Sequence, residues 1–390
     1  MLTGRIPSGE FEARWSRAQQ LAREKGVDAL LVWGKGGGTI DAVDNLVYLA
    51  NYYPVFPYIA DRAGSWSGLS YAAFILPVGG EPVLVGEEPP FRRDVVAVQD
   101  IRPSGGFAPD TVVETLGQMG LGRGRIGLVG GGALVATVYK RLVELGRGIE
   151  FVEMDSAIER LRSIKSPLEF ELLREAAEVG NAAMEALMKS AATTGTTEAD
   201  AIAAAYDVAV RRGAAVLDMA CASGPHSAAY SFGMMPQWTT RRLQEGEIFH
   251  CDMYGAATEG YRWDFARSVV TGNRWSAQQT EIYDGAIAAV TAGIEAVAPG
   301  VTGGRVFDIV QAELGARGLE SCYPIHGHSF GVGWEGPWCT EGSPDRIETG
   351  MCLAVECMAG RKDTGYVRFE RNLLVHEGHV ELLDTCPARL

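Results

Sequence analysis

One stretch of the chain, "EIFHCDMYGAATEGYRWDFARSVV", restricts the possible fold more than any other. Two β-prone runs flank a loop holding glycines, which spells a β-hairpin. Asp252 and Asp264 are equidistant from Thr258, so the pattern predicts that they face each other across the two strands. Partners in such a ladder stand about 4.5–5.5 Å apart at Cβ, and like charges there repel. The pattern recurs further on. "MCLAVECMAG", "RKDTG" and "YVRFERNLLVHEG" form a second hairpin, with Glu356 and Glu370 equidistant from Asp363. The neighbours of these acids are apolar, Phe249, Phe265, Leu353 and Phe369 among them. Any one acid alone fits a solvated strand face, but four acids in apolar strands do not. Burying an unpaired carboxylate costs several kcal/mol, and clustering them costs more. Bound divalent cations remove that penalty, and a bridging carboxylate can hold two of them a few ångströms apart.

The histidines that could join such a site are few: His226, His250, His326, His328, His376 and His379. His328 lies in "YPIHGHSFGVGWEGPW", among glycines that let backbones approach closely, and is the expected ligand. His326 is expected to orient it or to bind substrate. His250 alternates with Cys251 and shares the face of Asp252, which makes it a supporting candidate. His376 and His379 read as ordinary loop residues.

Around these hairpins the chain divides in two. Residues 10 to 150 alternate helical and strand patterns, from Phe11, Trp15, Ala18 and Ala22 through "DALLVW", "YAAFILPV" and "RIGLVGGG", which reads as a small α/β domain. The glycine runs "WGKGGGT" and "GLVGGGA" lack both the G-K-[ST] ending of a P-loop and the G-x-G-x-x-G spacing of a dinucleotide site, so they read as tight turns. Ser166 and Glu169 form a capping-box pair with Pro167 between them, opening a helix striped by Leu172, Leu173, Ala176, Val179 and Leu187. Ser276 with Gln279 caps another helix, and "GRVFDIVQAELGARG" supplies a third. The later part is therefore α+β, with helices packed on a curved, mostly antiparallel sheet.

A net charge of −14 argues against nucleic-acid and anionic-membrane partners, which need basic patches. Seven scattered cysteines without a C-x-x-C pair fit a reducing cytoplasm. The first residues lack an apolar signal core, and no apolar run approaches the roughly 20 residues that span a bilayer. A soluble cytoplasmic protein is expected.

The two aspartates on one hairpin, the histidine of "GHSFG" and the two glutamates fourteen apart resemble the pita-bread metallopeptidases. That family includes methionine aminopeptidase, prolidase and aminopeptidase P, with creatinase as a relative. The resemblance implies an α+β pita-bread catalytic domain over 160–390, preceded by a smaller α/β creatinase-like N-terminal domain over 1–155. It implies two divalent metal ions (Mn, Fe, Co or Zn), with Asp252 chelating one and Asp264 and Glu370 bridging both. His328 and Glu356 would complete the second metal, and Glu356 would accept the proton of an attacking water. A homodimer acting on a small-molecule or dipeptide substrate is also implied.

The pattern departs from that of the peptidases around the substrate. Where they carry histidines, this chain has Tyr230 or Ser231 after "SGPHSAA", and Trp334 in "WEGP". The aspartates are twelve apart rather than eleven. These features are similar to the branch holding the dimethylsulfoniopropionate lyases, in which an acid near this element is the general base. Glu335 stands beside that position. The candidates for direct chemistry are therefore Glu356, His326, Glu335 and Tyr230. The expected activity is hydrolysis of an amide C–N bond in a small substrate, as by an Xaa-Pro dipeptidase or aminopeptidase. The alternative is a metal-dependent lyase or creatinase-like hydrolase acting on a small cationic metabolite. Tyr52, Tyr53, Phe56, Tyr58 and Trp66 either help enclose such a cation or form domain core and dimer contact. A binding module without turnover has no evident reason to keep a buried acid cluster.

Overall fold

The computed structural model describes residues 2–37, 42–55, 70–87, 92–104, 107–229 and 236–390. The chain forms two compact units, Leu2–Arg162 and Ser163–Leu390.

The first unit runs α1 (Ser8–Glu24), β1 (Ala29–Lys35), α2 (Asp44–Ala50), β2 (Tyr71–Pro77), β3 (Val83–Val85), β4 (Asp100–Arg102), α3 (Ala108–Gln118), β5 (Arg125–Val129), α4 (Ala136–Leu145), β6 (Glu150–Glu153) and α5 (Asp155–Ser163). Its strands form one mixed sheet in the order β4-β3-β2-β1-β5-β6. Strand β1 pairs antiparallel with β2 and parallel with β5, and its residues are almost all buried, as expected of a central strand covered on both faces. Gly130, at the end of β5, has φ +84, and a Cβ there would run into the Trp33 carbonyl. The glycine run thus serves a close backbone crossing. Tyr52 is core, its hydroxyl donating to the Glu87 carbonyl, whereas Tyr53 is exposed. Phe56, Tyr58 and Trp66 lie outside the described residues.

The second unit holds α6 (Pro167–Ala191), α7 (Glu198–Arg211), β7 (Ala215–Ser223), β8 (Ile248–Ala256), β9 (Arg262–Val270), α8 (Ala277–Glu295), α9 (Gly303–Ala316), β10 (Glu320–Ser321), β11 (Gly327–Phe330), β12 (Trp334–Trp338), β13 (Cys352–Arg361), β14 (Gly365–His376) and β15 (His379–Leu382). The capping boxes at Ser166 and Ser276 are formed as the sequence predicts, with reciprocal side-chain and backbone bonds. Helix α7, which the hydrophobic pattern did not reveal, starts with a third one, Thr197 with Asp200.

Two antiparallel sheets, β7-β8-β9 and β12-β11-β13-β14-β15, carry the unit. Ser268 of β9 joins them, its hydroxyl donating to the Arg368 carbonyl of β14 and accepting from the Arg368 amide. Strand alternation then divides each sheet into two faces. On β13 and β14, Leu353, Val355, Cys357, Val367 and Phe369 enter a core with Ile282, Tyr283, Ala286, Val290 and Val310 of α8 and α9. On β9, Trp263 turns toward α6, where Gly180 leaves room for its indole. A Cβ on Gly180 would lie 2.5 Å from that ring. With the odd-numbered residues so committed, the even-numbered ones, Asp252, Asp264, Glu356 and Glu370, share the remaining faces.

Candidate metal centre

In the second hairpin the ladder pairs Glu356 with Glu370, as the sequence predicts. The first hairpin differs from the expectation by two residues. Asp252 faces Ala266, and Asp264 faces Tyr254. The reason lies in the turn. It is centred on Glu259, which adopts φ +54, and not on Thr258. Because the offset is even, both aspartates keep the same face and become diagonal neighbours.

The two sheets bring these acids together with His328. Ligand atoms of Asp264, His328 and Glu370 lie within 4.8 Å of one another, and so do those of Asp252, Glu356 and Glu370. Glu370 is common to both groups. Asp264, His328, Glu356 and Glu370 are buried, and only Asp252 is partly open. His328 Nε2 stands 3.3 Å from Asp264 Oδ2. Arg368, two residues before Glu370 and fully buried, donates to Asp252 Oδ2 at 2.7 Å and to Glu356 Oε2 at 3.3 Å. Asn372, two residues after Glu370, accepts from the Asp264 amide and donates to its carbonyl, fixing that strand against β14.

One guanidinium and one imidazole do not balance four carboxylates in so dry a place. Burial pushes the Asp264 carboxyl up to about 7, and the His328 contact only partly offsets it. Burial likewise raises Glu356 to about 7 against the pull of Arg368. Glu370 is held well above the carboxylate range, by burial first and then by the charges of Asp264, Asp252 and Glu356. For His328, burial lowers the imidazole, but the hydrogen bond and charge of Asp264 outweigh it and leave it at about 9. Glu370 Oε2 is buried without a hydrogen-bond partner among the described residues. A buried carboxylate oxygen left this way, inside two converging sets of oxygen and imidazole donors, fits divalent cations.

The second unit's sequence supports the same conclusion. Residues 171–377 match the model of metallopeptidase family M24, and residues 14–164 match the creatinase/prolidase N-terminal domain. The chain belongs to metallopeptidase family M24. An Xaa-Pro dipeptidase of Pyrococcus furiosus is 27% identical over 257 residues, covering 65% of this chain and 72% of that one. Two solved structures share the fold over nearly the full length. The dipeptidase PepE of Mycobacterium ulcerans has TM-score 0.79 at 23% identity, with 99% of each chain covered. A prolidase of Thermococcus sibiricus has TM-score 0.80 at 18% identity, covering 97% of this chain and 98% of that one. The protein is a metallohydrolase of this family, with the α+β fold expected of it: a creatinase-type N-terminal domain and a pita-bread domain.

The other sequence candidates are distributed differently around the M24 site. His326 is turned toward α9, its ring stacked on Phe307 at 4.8 Å and its Nε2 3.1 Å from Gln311 Oε1, and it belongs to neither carboxylate group. Glu335 is buried and accepts from Lys165 Nζ at 2.5 Å. Alternation along β12 separates it from Trp334 and Trp338, which pack around His328 at 5.2 Å each. Tyr230 lies outside the described residues. His250 is fully buried, and its Nε2 bonds the Ser227 carbonyl. Burial holds that ring down to about 3, so it stays neutral.

Several residues of the site escaped the sequence reading. Arg368 and Asn372 flank Glu370 at i−2 and i+2, and period-two spacing was the available signal. Tyr254, opposite Asp264, meets Trp334 edge-on at 5.4 Å. Asp218 pairs with Tyr254 in the ladder, and burial followed by the charge of Asp252 raises its carboxyl. Neither Tyr254 nor Asp218 had a signal before β7 was placed beside β8.

Proposed function

We propose that the protein hydrolyses an amide C–N bond in a small substrate of the Xaa-Pro dipeptide kind, with two divalent ions held by Asp252, Asp264, His328, Glu356 and Glu370. The observation that carries this reading is the sharing of Glu370 between two ligand groups, which gives one carboxylate to two neighbouring cation positions. Ions bound there would polarise the scissile carbonyl and lower the pKa of the attacking water.

The chain's own residues supply the rest. Glu356 takes the proton of the attacking water on its carboxylate and delivers it to the departing nitrogen. Arg368 holds Asp252 and Glu356 in place through its two charge-assisted bonds. Asn372 pins the backbone of Asp264, so the aspartate cannot retreat along the hairpin. Tyr254, Trp334 and Trp338 form an aromatic wall beside His328, which narrows the access of bulk water to the acids. The assay is proline release from Xaa-Pro dipeptides by the Mn(II)-saturated protein. Turnover in the wild type that is lost in Glu370→Gln supports the reading. No cleavage of any Xaa-Pro dipeptide at metal saturation removes it.

A further inference from the structure

Behind Asp252, on the face of the sheet turned away from the acids, two cysteines stand directly opposite each other. Cys221 of β7 pairs with Cys251 of β8. Both are free and fully buried. The Cys221 amide points away from β8, toward the Gln237 carbonyl at 3.5 Å. Cys221 and Cys251 therefore occupy a position of the antiparallel ladder without direct hydrogen bonds, where side chains approach most closely, with Cα atoms about 4.5 Å apart. A disulfide accepts Cα separations of about 4.4–6.8 Å but draws the Cβ atoms to about 3.5–4.5 Å. Cross-strand partners rest at roughly 4.5–5.5 Å, with non-hydrogen-bonded pairs at the near end, so a bridge draws these two strands slightly together. Among the described residues, no other two cysteines face each other across a ladder.

We propose that Cys221 and Cys251 form a reversible cross-strand disulfide under hydroperoxide stress and thereby weaken the metal centre through Asp252. The two S–H bonds break and one S–S bond forms. The sulfurs lose two electrons and two protons, and the hydroperoxide is reduced, hydrogen peroxide giving two waters. Two structural links connect the pair to the site. Cys251 precedes Asp252 in the chain, and its thiol donates to the Asp252 carbonyl at 3.4 Å, a bond that oxidation removes. Closing the strands also moves β8 at the residue beside Asp252. At Cys221 the outer side of β7 is covered by the Gln237 carbonyl, which accepts from both its amide and its thiol. Peroxide therefore reaches Cys221 by local opening of β7 from the Gln237 segment, helped by the irregular start of the strand between Val216 and Asp218.

The bridge itself does not depend on the proposed hydrolysis, whereas its consequence rests on the metal reading. The test treats the full-length, Mn(II)-loaded protein with hydrogen peroxide, alkylates the remaining thiols in denaturant and maps peptides without reduction. The expected product is a linked Cys221–Cys251 peptide that dithiothreitol releases. Mn(II) titration should show affinity at least about tenfold lower in the oxidised protein, in the range seen when groups supporting a metal ligand are altered, and recovered on reduction. Cys221→Ala should keep its Mn(II) affinity under peroxide. Recovery of both cysteines as alkylated thiols, or a bridge made instead by the exposed Cys322, overturns the proposal. A Cys221–Cys251 bridge with unchanged affinity overturns the coupling to Asp252. Absence of Mn(II) binding before oxidation overturns the metal reading and leaves the bridge standing.

Discussion

Glu356→Gln should change the stability of this protein in opposite directions with and without metal. In the metal-free chain, burial raises the Glu356 carboxyl from 4.5 to about 7. The sign follows from proton binding. Between these two values the folded state holds a proton that the unfolded state has released, so stability falls as pH rises through the window. Below about pH 4 the penalty is absent, and above about pH 7 it is complete, amounting to about 3 kcal/mol. Glutamine keeps the shape and an oxygen for Arg368 without the charge. At pH 8 the metal-free variant should therefore be more stable than the metal-free wild type by about 3 kcal/mol, or roughly 6–12 °C in Tm for a unit of this size. At pH 4 the two should coincide. Mn(II) at about 1,000 times its Kd reverses the order, because each ion then adds about 4.1 kcal/mol to the wild type, while the variant lacks one member of the Asp252, Glu356 and Glu370 group and forfeits that contribution at one position. The assay is thermal unfolding at pH 4 and pH 8, in chelator and in Mn(II). A variant no more stable than wild type in chelator at pH 8 would refute the reasoning, as would a wild type that Mn(II) does not stabilise.

Two further outcomes test the frame around the site. Lys165→Met leaves Glu335 charged and buried, so urea unfolding should show a loss of about 3–5 kcal/mol, much of it recovered in the double variant Lys165→Met/Glu335→Leu. Equal losses in the single and double variants would mean that the ion pair is not what holds β12. Gly180→Ala places a Cβ 2.5 Å from the Trp263 ring and should lower stability by about 1–3 kcal/mol, measured in the same way. No loss would show that α6 and β9 are less tightly packed than described.

The acids were legible in the sequence because a β-hairpin has few degrees of freedom: Glu356 and Glu370 meet where symmetry about Asp363 puts them. The aspartate hairpin was legible in its face but not in its register, since Glu259 in the left-handed region moves the turn centre by one residue and the pairing by two. Capped helices declared themselves through Ser166 and Ser276. What stayed hidden depends on long-range neighbours. Glu335 sits beside Trp334 in the chain, yet β12 turns them to opposite faces and Lys165, some 170 residues earlier, takes the carboxylate. His326 is two residues from His328, yet it precedes β11, so strand alternation does not bind it to the face of His328, and its ring turns to Phe307 and Gln311 of α9. Local spacing proposes a constellation, and strand faces and strand ends decide which members join it.

The most direct test of the central claim is the metal content of the purified, Mn(II)-reconstituted chain by elemental analysis, beside Asp264→Asn. The two ligand groups sharing Glu370 call for close to two ions per chain in the wild type and a marked loss in the variant, since Asp264 lies with His328 and Glu370 in one of them. A wild type that retains no metal after reconstitution, or a variant that keeps its full complement, would contradict the account.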